Sequence, residues 1–309
     1  YLTGQTRDPW QEFGKTNFGH CALLTLNDDP IILELTPESP LKVPLGTIGI
    51  DRPGTDLARL AGNLAKLSKT DITNAHPIML KARATKDMEE LEHLRFVTDI
   101  ADIAFQRVRS ELLQPGVSER EIAAKCQEFL ITSGFESVEN LMCASGANTL
   151  KPEPFPTERL IREGDLVILG ILGTGPEGYR VRVQRTFKCG IEGNVVNREN
   201  ELYRRCHQAM RLVMANCWPG QKAGSLLDAL CDFPELPAPV GHAIGLDWHE
   251  GFEIGPDITS SEILEAHTYL TLRVHIQEEG IAIGLEENFI VTPEGPVYFT
   301  CFPLEKDLL

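Results

Sequence analysis

Gly241-His-Ala-Ile-Gly-Leu-Asp-Trp-His-Glu250, together with Gly164-Asp-Leu-Val-Ile-Leu-Gly170 leading to Gly178-Tyr-Arg-Val-Arg-Val-Gln-Arg-Thr-Phe187, decides how this chain folds. Leu166 to Leu172 is a short apolar run of strand length, and Gly178 to Cys189 interleaves polar and β-branched residues, so both read as strands. In the first stretch His242 and His249 stand seven residues apart, with Gly241 and Gly245 set between strands. An imidazole can act as acid or base near neutral pH, and two in one pocket can divide those roles. The alternative is that both are hydrogen-bonded core groups.

Outward from these stretches the pattern is α+β. Val138 to Ala144 reads as a further strand, and Gly241 to Phe302 as strands and turns. Thr85-Lys-Asp-Met-Glu-Glu90 supplies a cap and first-turn acids to an apolar stripe at Leu91, Leu94, Val97, Ile100, Ile103 and Ala104, which predicts a long helix. Ser118 and Glu121 form a capping-box pattern for a second helix ending at Gly134. A third runs from about Asn197 to Cys217. Near the start, Cys21-Ala-Leu-Leu-Thr-Leu26 and Ile31-Ile-Leu-Glu-Leu35 flank the turn signal Asn27-Asp-Asp-Pro30, a hairpin pattern. Leu57, Leu60, Leu64 and Leu67 have helical spacing. With Asn74-Ala-His-Pro77 as a linker, residues 1–76 are expected to form a small α/β domain and residues 77–309 the main one.

The composition excludes several classes. Its 309 residues are enough to bury full cores. At 42% hydrophobic and 24% charged the balance is that of a globular protein, and no apolar run spans a bilayer. A formal charge of -16 with scattered Lys and Arg argues against nucleic acid. The eight cysteines include no CxxC pair and read as reduced thiols, which with the lack of a secretory opening points to the cytoplasm. No Gly-rich phosphate cradle and no Gly-x-Ser-x-Gly elbow is present.

The two opening stretches resemble the signatures of the pita-bread family, which includes methionine aminopeptidase, aminopeptidase P, prolidase and creatinase. Tyr1-Leu-Thr-Gly4 is similar to a strand motif in the N-terminal domain of the aminopeptidase P and creatinase branch. Ile283-Gly-Leu-Glu286 and Ile290-Val-Thr-Pro-Glu-Gly295 are similar to the family's closing hairpin. The resemblance covers nearly the whole chain. It implies a pita-bread domain preceded by an α/β domain from which, if Tyr1 lies where it aligns, some sequence is expected to be missing.

In active members of that family two Asp, one His and two Glu hold two divalent ions. The resemblance puts the first Asp on Gly170 and the second on Arg182, keeps the His as His242, puts the first Glu on Arg273 and keeps the last as Glu286. Guanidinium groups stay charged near neutral pH and only donate. Beside a dication each costs Coulomb energy on the order of 1 kcal/mol or more. No metal and no other cofactor is therefore expected. The arginines are expected either to pair with Glu286 and Glu250 as structural salt bridges, or to hold the carboxylate of a small ligand, which the planar fork fits.

A family His acting as proton shuttle in creatinase falls on Glu153, in Lys151-Pro-Glu-Pro154. Glu153 is then either a general base or a solvated loop residue. His275 shares a strand side with Arg273, and Trp248, between Asp247 and His249, is a candidate pocket wall. The expected function is binding of a small anionic or zwitterionic molecule by His242, His249, Arg182, Arg273 and Glu286, with creatinase-like C–N hydrolysis. The alternatives are a catalytically silent relative kept for binding or dimer assembly, and an Xaa-Pro aminopeptidase or dipeptidase. The resemblance also implies a homodimer.

Overall fold

Strict alternation of Leu270, Leu272, Val274 and Ile276 with Thr271, Arg273 and His275 gives one strand two unlike faces, and the sheet built on it separates an apolar side from a polar one. A computed structural model of the chain describes residues 20–23, 31–34, 47–50, 71–74, 76–151, 154–190, 198–305 and 308. The chain divides into two compact units, Tyr1–Ala82 and Arg83–Leu309.

In the first unit β1 (His20–Leu23) pairs antiparallel with β2 (Ile31–Glu34), with Cys21 opposite Leu33, as a hairpin requires. β3 (Thr47–Ile50) and β4 (Asp71–Asn74) pair in parallel. The helix expected around Leu57 to Leu67 and the turn Asn27 to Pro30 lie outside the described residues. Where a linker was expected at Asn74 to Pro77, β4 ends at Asn74 and α1 (His76–Ala84) begins at once. Pro77 falls in the first turn of α1, where its missing N–H costs nothing.

In the second unit α2 (Met88–Arg107) starts at Asp87 rather than Thr85. Asp87 accepts from the Glu90 N–H, and the Glu90 carboxylate accepts from the Asp87 N–H, completing a capping box. α3 (Glu119–Thr132) starts at Ser118, whose hydroxyl accepts the Glu121 N–H at 3.1 Å. Gly134, at φ +123°, turns the chain into β5 (Ser137–Ser145). β6 (Leu166–Thr174), β7 (Arg180–Lys188), α4 (Arg198–Ala215), β8 (Val240–Ala243), β9 (Glu253–Ile254), β10 (Tyr269–Glu278), β11 (Ile281–Thr292) and β12 (Gly295–Tyr298) follow.

Among the described residues these strands form an eight-stranded sheet, ordered β5-β6-β7-β11-β10-β8-β9 with β12 on β11. Its pairings are antiparallel. On one face Val167, Leu169, Ile171, Val181 and Val183 pack with α2 and α3 through Val97, Ala101, Phe105, Ile122 and Leu130. Further along that face Leu270, Leu272, Val274, Ile283 and Leu285 pack with α4 through Leu202, Cys206, Ala209 and Val213. Each fully buried side chain of this size contributes about 1.5–3 kcal/mol. The opposite face is left to polar groups.

Candidate functional site

Register sets the polar face. Gly170 lies opposite Gln184, Gln184 opposite Glu286, Glu286 opposite Arg273, and Arg273 opposite Val240. One rung away Thr271 lies opposite His242, and His242 opposite Glu253. Because side chains of one rung share a face, Arg273, Glu286 and the neighbouring Arg182 converge, although in sequence they span ninety residues.

Arg182 Nε lies 2.8 Å from Glu286 Oε1, and Glu286 is 1% exposed. The Thr271 hydroxyl donates to the same oxygen at 3.0 Å. Burial pushes the Glu286 carboxyl above its usual range, while Arg182, Arg273 and Thr271 pull it down. Of the two partners expected for the arginines, only Glu286 is met. Glu250 turns away: its Oε2 lies 2.5 Å from Lys86 Nζ, and its Oε1 accepts the Asp247 N–H at 3.0 Å. That contact is fixed by the chain entering from α1, which also sets Arg83 3.1 Å from Asp247.

The His242 and His249 rings are 3.9 Å apart at 33°. His242 is half-buried and His249 exposed. Burial, then His249 and Arg182, push the His242 pKa down to about 4, so that ring is neutral at physiological pH. Its Nδ1 lies 3.2 Å from the Ala243 carbonyl. A carbonyl can only accept, so this bond places the proton on Nδ1 and leaves Nε2 as a base.

These groups open into a pocket of about 380 Å³ walled by Arg182, Arg273, Glu286, Thr271, His242 and His249, with exposed Glu253 and Asp257 at its rim. His275 and Trp248 are not in that wall. His275 continues the strand beyond Arg273, with burial and Arg273 lowering its pKa. Trp248 lies under the Arg180 guanidinium, 4.9 Å away, and packs beside Leu246. Glu153 lies outside the described residues. Thr271, Glu253, Asp257 and Lys86 belong to or brace the site without having been picked from sequence. Only Thr271 carried a signal, its place two residues before Arg273 on an alternating strand.

The donor set does not suit two divalent ions. Of the five positions that the family pattern uses, Gly170, Arg182 and Arg273 offer no anionic donor, and Glu286 is engaged by Arg182. At Gly170 even the space is gone, because a β-carbon there would overlap the Met142 methyl. Among the described residues no group of three or more His, Cys, Asp or Glu is disposed to hold a metal ion.

An antiparallel sheet with helices on one face and a polar pocket on the other is the pita-bread fold. Residues 92–293 match metallopeptidase family M24, and the chain belongs to that family. It is 25% identical over 291 residues to the uncharacterized peptidase YqhT of Bacillus subtilis, covering 90% of this chain and 79% of that one. The Xaa-Pro dipeptidase structure from Bacillus anthracis superposes with a TM-score of 0.71 at 25% identity, covering 84% of this chain and 74% of that one. The dipeptidase PepE structure from Mycobacterium ulcerans gives 0.71 at 24%, covering 84% and 70%, a likeness of fold. Among the described residues no helix is long and apolar enough to cross a membrane.

Proposed function

We propose that this M24 chain binds a small carboxylate-bearing zwitterion in the pocket of Arg182, Arg273 and Glu286 without a dinuclear metal centre, and hydrolyses a C–N bond in it as creatinase does. The observation that carries this is the ion pair of Arg182 with Glu286 at 2.8 Å, with Arg273 directly across the strands. Two guanidiniums against one carboxylate leave the floor one positive charge in excess with Glu286 ionised, which a ligand carboxylate balances. Glu253 and Asp257 at the rim suit its cationic end.

His242 and His249 are the catalytic candidates. Nε2 of neutral His242 is a base able to take a proton from an attacking water. Exposed His249, stacked on it, is placed to give one to the leaving nitrogen. Their closeness favours one proton between them, as a general acid and base require.

A second reading is a catalytically silent binding protein, favoured by the same ion pair, since Arg182 then stands as a fixed replacement for lost positive charge. An Xaa-Pro dipeptidase, the activity in the name of the Bacillus anthracis structure, would need donors that Gly170, Arg182 and Arg273 do not supply.

Thermal shift against guanidino acids and simple carboxylates tests the proposal. A ligand at a hundred times its dissociation constant adds about 2.7 kcal/mol. Arg273→Gln should abolish the shift, and His249→Gln should keep the shift but lose turnover. A shift without turnover in the unmodified chain leaves the silent reading. No shift, with two equivalents of Mn, Co or Zn in the purified protein, overturns both.

A further inference from the structure

We propose that the groove between α4 and β12 is a second binding site, for an organic anion with an apolar body and a phosphate or carboxylate head. Arg204, His207 and Arg211 fall at i, i+3 and i+7 on α4, on one helical face. Pro296 and Tyr298 of β12 form the facing wall of a cavity of about 500 Å³. No Asp or Glu lines it, an unusual local balance in a chain of formal charge -16.

The surroundings do not cancel the two arginines. His207 is held below its usual pKa by burial and by Arg211 and Arg185, all acting in the same direction. The nearest carboxylate felt at Tyr298 is Glu287, and that group is committed to Arg185 at 3.0 Å. Arg204 and Arg211 are both exposed and stand two turns apart, about 10 Å along the axis. Guanidiniums reaching from those points bracket a ligand of aromatic-ring size and offer paired donors to its head. The Tyr298 ring, Leu212 and Met214 supply apolar contact for the body. Since α4 covers the sheet face opposite Arg273 and Glu286, this site is separate from the central pocket, and nothing bound there requires the proposed function.

The test is a titration of methyl-labelled methionine protein with phenyl phosphate and with benzoate, followed by NMR. The Met214 methyl, assigned through Met214→Leu, should move on saturation with at least one probe. The double variant Arg204→Ala/Arg211→Ala should weaken that binding at least tenfold. Arg204→Lys/Arg211→Lys, which keeps the charge, should weaken it less, and Arg273→Gln should leave it unchanged. The proposal is overturned if Met214 does not move with either probe, if the alanine variant titrates like the parent, or if inorganic phosphate binds as tightly as phenyl phosphate.

Discussion

Arg182 Nε and Glu286 Oε1 meet at 2.8 Å on a floor where Glu286 is 1% exposed. Removing one partner of such a pair leaves a buried charge poorly compensated, which costs about 3–5 kcal/mol, whereas replacing both is often close to neutral. Arg182→Met should therefore destabilise the chain more than Arg182→Met/Glu286→Gln does. Arg273 across the strands blunts the single loss. Urea denaturation of parent, both singles and the double gives the coupling, and a double that costs the sum of the singles contradicts it.

Rebuilding the family's metal centre should take four changes, not three. Arg182→Asp/Arg273→Glu restores two donors, but Gly170→Asp would drive its β-carbon into the Met142 methyl. Overpacking of this kind costs about 1–3 kcal/mol. The three-residue variant should melt below the parent and bind less than two equivalents of Mn. Adding Met142→Ala should recover stability and raise metal content, as read by calorimetry and elemental analysis. Full loading of the three-residue variant would contradict this.

Much of that floor could be read in the chain itself. Period-two alternation from Leu270 to Ile276 sends Thr271, Arg273 and His275 to the polar face, and family spacing brings Arg182 and Glu286 to it. What spacing does not encode is contact made by chain arriving from elsewhere. Glu250 follows His249 directly, yet its partner is Lys86, 164 residues earlier. Trp248 looks like a pocket wall from its neighbours, but the guanidinium of Arg180 covers it. The Met142 methyl beside Gly170 depends on how two adjacent strands pair, Met142 lying opposite Gly170. Similarly the cap at Asp87 rather than Thr85 is a choice between two plausible side chains, settled by Glu90 closing the box.

Asp102 should give the folded state a pH-dependent penalty. Burial pushes its pKa up to about 6, against the Cys301 N–H that it accepts and the nearby Arg185 that lower it. The folded pKa lies above the unfolded value near 4, so above pH 6 the folded state holds a charge that it disfavours. The penalty is fully present there and fades as pH falls toward 4. Asp102→Asn keeps an acceptor for Cys301 and should stabilise the chain at pH 8 by on the order of 1–3 kcal/mol. At pH 4 the gain should vanish. Urea midpoints at both pH values check this, and an equal gain at both contradicts it.

Lys86 should govern the order of the loop that carries His249. Its ammonium and the Glu250 carboxylate are each 1% exposed, and Glu250 also holds the Asp247 N–H. A β-carbon at Gly245 would come within 2.8 Å of Lys86 Cε and closer still to Glu250, so the chain closes tightly over the pair. Lys86→Met removes the only cation at that carboxylate among its described contacts and should cost about 3–5 kcal/mol. Lys86→Met/Glu250→Gln keeps an acceptor for Asp247 and should regain most of it. The single variant should also separate the His242 and His249 rings, now 3.9 Å apart. Without its stacked neighbour His242 is better solvated, so its pKa should rise from about 4 toward the ordinary imidazole value. NMR titration of the imidazole carbons reads this directly. An unchanged His242 titration in a destabilised Lys86→Met protein would mean that the pair supports the fold without positioning His249.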